Sequence, residues 1–411
     1  LSGPDRESGP QTCGGCHRED PAVASTWQKI AFDKSLHYRH VKNNDNKCER
    51  CHHKYDKRAE KLVYAKGEEG ACLYCHKETA EENTPPLKEA FHFQCIGCHR
   101  DNRAKNKQSG PVGCVGCHDA DYQAGIAVLR EVPRLERNQP DVLLVKAGEE
   151  QLPSEQRTTA MYPVPFDHRS HEAYNDSCKV CHHASLQSCS SCHTNAGKAE
   201  GGNVKLAQAM HSKTSQASCI GCHKAKQADF ECAGCHDFIA ARATDRQDTS
   251  CKACHMAPLP AYVNPANAEE TKDAAMDLLQ ARDLEAKLFA ADKIPETVTI
   301  GNLSNRFEPA LLPHGKIIDS LMAKTRGSKL AGYYHSERGT LCQGCHHHSP
   351  PAEKPPACSS CHGETIENAD AFRPGLVAAY HQQCIGCHNS MGLAKPAARD
   401  CNACHVEKTK G

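Results

Sequence analysis

The chain has 411 residues, of which 38% are hydrophobic and 5% aromatic, and Lys plus Arg balance Asp plus Glu at 50 each. That balance removes the basic excess a nucleic-acid binder needs, no run approaches the roughly 20 apolar residues that span a bilayer, and the apolar side chains are too few to fill several cores by themselves. The 28 cysteines are far too many for an ordinary cytosolic enzyme and demand disulfides, metal sites or covalent cofactors.

The first stretch, Leu1 to Pro10, is polar, and a secretory signal is expected to have been removed or to lie outside the sequence. Residues 1–30 carry Cys13, Cys16 and His17. Residues 31–125 hold His37 and His40 as H-x-x-H, then Cys48, Cys51 and His52 with His53 directly after. Cys72, Cys75 and His76 follow, then a lone His92, then Cys95, Cys98 and His99, and last Cys114, Cys117 and His118. Residues 126–160 lack cysteine and read as a linker in which Val142 to Val145 forms a short strand. Met161 to Phe166 (MYPVPF) is an extended lead-in, because proline biases its predecessor away from helix.

Residues 161–240 repeat the first block. His168 and His171 form H-x-x-H, Cys178, Cys181 and His182 run into His183, and Cys189, Cys192 and His193 follow. His211 then precedes Cys219, Cys222 and His223, with Cys232, Cys235 and His236 closing the block. Residues 241–256 carry an isolated Cys251, Cys254 and His255. In 257–305, Asn267 with Glu270 resembles a capping box, and Ala274, Leu278, Leu284 and Leu288 predict an amphipathic helix ending before Pro295. This helical linker reads equally as a clamp holding the third block to the second and as a solvated connection. Residues 306–411 hold His314 and His335, then Cys342, Cys345 and His346 with His347 and His348. Cys358, Cys361 and His362 come next, then His381, Cys384, Cys387 and His388, and finally Cys401, Cys404 and His405.

Every cysteine thus falls in a C-x-x-C pair with histidine directly after it, and fourteen such motifs leave none over. Two thiols three positions apart add to the two vinyl groups on one haem edge, and the next residue then lies beneath the macrocycle, where its imidazole binds the iron. C-x-x-C-H is therefore the signal for c-type haem attachment. Zinc ribbons pair C-x-x-C units without requiring histidine after each. Thioredoxin-like sites use one C-x-x-C, not fourteen, and a disulfide scaffold has no reason to keep the histidine.

Two blocks share the order H-x-x-H, C-x-x-C-H-H, C-x-x-C-H, H, C-x-x-C-H, C-x-x-C-H, and the third follows it except that His314 and His335 stand where the H-x-x-H would be. This resembles the tetrahaem class III cytochromes c of sulfate-reducing bacteria, and the succession of modules with single haems between them resembles the nine-haem and high-molecular-weight cytochromes c. The resemblance implies tandem tetrahaem modules, mostly irregular with short α-helices and little β, organised around fourteen covalent haems c. It also implies sixth ligands. His37 pairs with His52, His53 with His76, His40 with His99 and His92 with His118. In the second module His168 pairs with His182, His183 with His193, His171 with His223 and His211 with His236. In the third, His347 pairs with His362 and His381 with His405, while His314 and His335 serve His346 and His388. Those two stand far apart in sequence, where the family has H-x-x-H. His348 is surplus and is left for the His255 haem. Thirteen histidines then serve fourteen irons, so one haem lacks a second imidazole; the haem of His17 is expected to be that one, with His388 as the rival.

The function expected is electron transfer rather than catalysis. By resemblance, donor and acceptor are a small tetrahaem cytochrome or hydrogenase and a membrane-bound redox complex, in the periplasm and in sulfate respiration. The alternatives are an oxidoreductase acting at one five-coordinate haem and a subunit of a conducting filament.

Overall fold

The structure is a computed structural model and describes residues 28–30, 32–82, 84–146, 161–237, 251–301, 303–364, 373–397 and 400–409. The motif of Cys13, Cys16 and His17 lies outside them. Short helices and long irregular connections dominate, and the sheets among the described residues are three antiparallel hairpins of two strands each. The chain divides into two compact units, Leu1–Gln139 with Ser170–Ser188 and Pro140–Arg169 with Cys189–Gly411.

In the first unit, helix α1 (Lys34–Asn43) starts where the Asp33 carboxylate accepts the Leu36 N–H at 2.7 Å, satisfying one of the helix's orphan donors. Its i, i+3 spacing puts His37 and His40 on one face. A small hairpin follows, β1 (Lys54–Asp56) with β2 (Lys61–Val63). Helix α2 (Leu87–Ala104) begins directly after Pro86, whose missing N–H costs nothing at a helix start. It carries His92, Cys95, Cys98 and His99 within one span.

In the second unit, β3 (Val142–Val145) pairs with β4 (Val164–Asp167), Val142 opposite Asp167 and Val145 opposite Val164. The strand and the extended lead-in read from the sequence are thus one hairpin, and β4 runs directly into α3 (His168–Tyr174), whose residues from Ser170 on belong to the first unit. Helices α4 (Leu206–His211), α5 (Cys219–Lys226) and α6 (Phe230–His236) follow. Next come α7 (Ala268–Gln280), the hairpin β5 (Val298–Ile300) with β6 (Ala310–Leu312), then α8 (His314–Arg326), α9 (Lys329–Tyr334) and α10 (Leu376–Ser390).

The cap at α7 forms, but not as a full capping box, because the Asn267 backbone N–H donates to the Asn264 carbonyl and Glu270 meets the Asn267 side chain instead. Asn267 Oδ1 accepts the N–H groups of Glu269 and Glu270 at 3.0 and 3.3 Å, and its amide donates to Glu270 Oε1 at 2.8 Å. Helix α7 packs on β3 and β4 with Ala274 and Ala275 buried, so the segment is not a solvated connection. It ends at Gln280, short of Leu284 and Leu288. Beyond that point the chain runs beside α9 and bonds to it: Lys287 N–H donates to the His335 carbonyl at 3.2 Å, and Gly339 N–H donates to the Lys287 carbonyl at 3.0 Å. Tertiary partners therefore take the backbone groups that further helix would have used.

Apolar side chains buried among the described residues are few: Leu206, Ala233, Val263, Ala274, Ala275, Leu376, Met391 and Pro165. Such a core is far too small for a chain of 411 residues, and bulky apolar groups bound between the loops have to supply the remainder.

Candidate haem-binding sites

The described motifs share one local geometry. In nine of them the histidine N–H donates to the carbonyl of the first cysteine, as from His52 to Cys48 at 2.9 Å and from His346 to Cys342 at 2.8 Å. The other four lie inside α2, α5, α6 and α10, where the same i to i−4 bond belongs to the helix. This turn gathers two sulfurs and an imidazole on one side of the backbone, as attachment to one haem edge and its iron requires. No disulfide joins the cysteines among the described residues. Among the described residues no cluster of three or more His, Cys, Asp or Glu side chains is arranged for a bare metal ion. The thiols are not activated either. Burial, reinforced by neighbouring cysteines, pushes Cys95 and Cys235 up to about 11 and Cys345 up to about 12, the opposite of a reactive thioredoxin-type pair.

Second imidazoles stand opposite nine motif histidines. Two imidazoles on opposite sides of one metal, each bonded at roughly 2.0–2.1 Å, place their ring centres about 6 Å apart. The first unit has His37 and His52 at 6.1 Å, His53 and His76 at 6.1 Å, His40 and His99 at 6.1 Å, and His92 and His118 at 6.0 Å. These are the pairs the resemblance implies. In the second unit His314 faces His346 at 6.4 Å, His347 faces His362 at 5.9 Å and His381 faces His405 at 5.9 Å. Many of the rings are anchored by Nδ1 donating to a backbone carbonyl: His40 to Leu36 at 2.8 Å, His99 to Pro111 at 2.8 Å, His314 to Pro295 at 3.0 Å, His362 to Pro374 at 2.8 Å. That bond leaves Nε2 for the iron and makes it a better donor. The residues present thus fit a haem held by two thioethers and two imidazoles.

Two pairs differ from the expectation. His211 lies opposite His255 at 6.1 Å, not opposite His236, beside a cavity of about 540 Å³ lined by Ala207, Gln208, His211 and Ser212. His335 lies opposite His236 at 6.2 Å, not opposite His346 or His388. The cause is packing. α6 lies on α10, and the chain after α7 holds α9 in place, so the residue delivered to His236 comes from the far side of the isolated motif. His348 does not stand at His255 but lies edge-on to its neighbour His347 at 4.9 Å. No imidazole stands opposite His388 among the described residues.

Burial favours the neutral form of several ligand imidazoles, the form coordination requires. Together with His52 and the Arg137 guanidinium it pulls His37 down to about 4. Burial comes first among the causes that lower His52, His236, His335 and His347 as well. Several neighbours carried no sequence signal. Phe32 stands 5.9 Å from the His37 ring and 5.4 Å from the His40 ring, between two attachment sites. Tyr334 places its hydroxyl 4.0 Å from Cys254 Sγ and its ring 6.1 Å from that of His223. The Arg282 guanidinium lies over Tyr333, with Nε 3.3 Å from Met256 Sδ, beside the isolated motif.

This constellation, repeated along a chain with little regular structure, defines a multihaem c-type cytochrome. The profile of the class III cytochrome C family matches residues 19–118, 145–231 and 320–409, and the chain belongs to that family. It is 42% identical over 430 residues to a high-molecular-weight cytochrome c of Nitratidesulfovibrio vulgaris (strain Hildenborough), covering 100% of this chain and 78% of the relative. The crystal structure of high-molecular-weight cytochrome c from Desulfovibrio vulgaris (Miyazaki F), solved in the presence of zinc ion, superposes with a TM-score of 0.82 at 44% identity over 98% of this chain and 80% of that one. The sixteen-haem cytochrome from Desulfovibrio gigas superposes with a TM-score of 0.81 at 37% identity, over 98% and 83% of the two chains. The protein is a multihaem electron-transfer cytochrome built from tandem class III modules. No helix among the described residues is long and apolar enough to cross a membrane.

Proposed function

We propose that the chain attaches fourteen haems c through its fourteen C-x-x-C-H motifs and relays electrons in the periplasm, taking them from a small tetrahaem cytochrome or hydrogenase and passing them to a membrane-bound redox complex. The nine facing imidazole pairs at 5.9–6.4 Å carry this reading. Each haem supplies a one-electron ferric/ferrous couple. The paired imidazoles would hold the iron from both sides, keep substrate from it and favour a lower potential than a Met/His pair would. Adjacent histidines set the spacing between groups. His52 and His53 are neighbours in the chain, yet they face His37 and His76 respectively. His346 and His347 likewise face His314 and His362. Alpha carbons about 3.8 Å apart thus serve two irons each, which brings macrocycles together as electron transfer demands. Three tetrahaem modules, at about residues 31–125, 161–240 and 306–411, with single haems near 1–30 and 241–256, form the proposed order. The remaining second-module ligands, His168, His183 and His171, are assigned to His182, His193 and His223.

The intact denatured protein should carry fourteen haem additions by mass spectrometry; fewer than fourteen, or alkylatable thiols, would overturn the count. A second reading rests on His388, which no imidazole faces among the described residues and whose iron would admit an external ligand. If that site makes the protein an enzyme, nitrite or hydroxylamine will turn over at about 1 s⁻¹ or faster. A carrier shows no such turnover.

A further inference from the structure

His335 differs from the anchored imidazoles. Its Nδ1 is buried and meets no hydrogen-bond partner, the one imidazole nitrogen so placed among the described residues. It faces His236 at 6.2 Å. Their attachment site occupies a particular place. A methyl group on Gly344 would fall 2.9 Å from Cys235 Sγ, and one on Gly234 would fall 2.7 Å from Cys387 Sγ. Helices α6 and α10 pack together there. The thioether edges of the His236, His346 and His388 sites therefore meet, at the junction of the second module with the third.

An imidazole whose Nδ1 proton is shared with a carbonyl pushes electron density onto Nε2 and stabilises ferric iron. His335 does not, and it is therefore the weaker donor. Burial acts in the same direction, because ferric bis-imidazole haem carries one more positive charge than ferrous, and a site away from water disfavours the more charged form. The opposing influence is the Asp237 carboxylate, next in sequence to His236. It is exposed, where solvent and salt screen it.

We propose that His236 and His335 make their haem the first of the bis-histidine haems to be reduced, an electron-collecting station where the second module meets the third. This rests on haem attachment at Cys232 and Cys235 as proposed above, so intact mass is measured first. A missing haem there defeats the haem count, whereas a full complement leaves the inference to be judged by itself. The holoprotein is then titrated potentiometrically and followed by low-temperature EPR, beside His335→Ala. That variant converts the His236 iron from low-spin to high-spin and so marks its component. The component lost should be the one that disappears first on reduction of the wild-type protein. If it is reduced in the middle of the titration or last, or if no low-spin component is lost, the proposal is overturned. Should His335→Ala fail to mature, His335→Met keeps a sixth ligand and marks the same iron by its methionine charge-transfer band. The component it displaces must again be the first reduced in the wild type, and any other position overturns the proposal.

Discussion

Gly332→Ala tests how α9 delivers His335 to the His236 site. Gly332 lies three residues before His335, and a methyl group there would fall 1.8 Å from the Leu284 carbonyl oxygen and 2.8 Å from its carbon. Real contacts essentially never fall under 3.0 Å, so helix and facing chain must part by about 1.2 Å, the difference between 3.0 and 1.8 Å. Both sides are backbone, and no side-chain rotation relieves the clash. Overpacking of this kind costs about 1–3 kcal/mol, against roughly 5–15 kcal/mol for the stability of a folded domain, so the protein should still fold and mature. The axial bond is less forgiving: at roughly 2.0–2.1 Å it does not stretch by half its length. Gly332→Ala should keep every haem by mass yet show one low-spin ferric component replaced by a high-spin one. The reduced protein should bind one more carbon monoxide per chain than wild type. Gly327→Ala is the control, since its nearest atom would lie 3.9 Å away. A Gly332→Ala protein with the wild-type spin states and carbon monoxide stoichiometry would refute the reasoning.

His211→Ala should open the iron of His255 and leave that of His236 six-coordinate, so combining it with His335→Ala should yield two new high-spin centres; a single new centre in the double variant would mean that both residues serve one iron. The wild-type protein should itself show a minor high-spin ferric EPR signal from the His388 site, and a spectrum that is low-spin throughout would mean that His388 has gained a ligand. Ring orientation should also be visible by EPR. The His40–His99 and His211–His255 pairs lie at 24° and 27°, the His37–His52 and His53–His76 pairs at 85° and 80°. Near-parallel pairs give rhombic low-spin spectra and near-perpendicular ones strongly anisotropic spectra, so His211→Ala should remove a rhombic component; loss of an anisotropic one would contradict the geometry.

The proposed attachment is legible residue by residue, because the two thioethers and the proximal bond would be made within five consecutive positions. Local hydrogen bonds alone shape such a segment, as the turn from Cys48 to His52 illustrates. The adjacent histidines were legible for a related reason: His53 cannot reach the far side of the haem beneath which His52 lies, so it had to serve another, and it faces His76. The cap at Asn267 and the strand at Val142–Val145 are local as well. The end of α7 was not, since Leu284 and Leu288 continue its apolar spacing while α9 claims their backbone. Nor was the choice of sixth ligand in the second unit. A distal imidazole binds through space, and nothing in the spacing of His211 or His335 says which iron their helices reach. That is decided by α6 lying on α10 and by the chain after α7 holding α9. Sequence alone thus carries the proposed haem attachment at each motif, because those bonds are short-range along the chain. The partner across each iron is a long-range contact, and in the second unit only the packed structure assigns it.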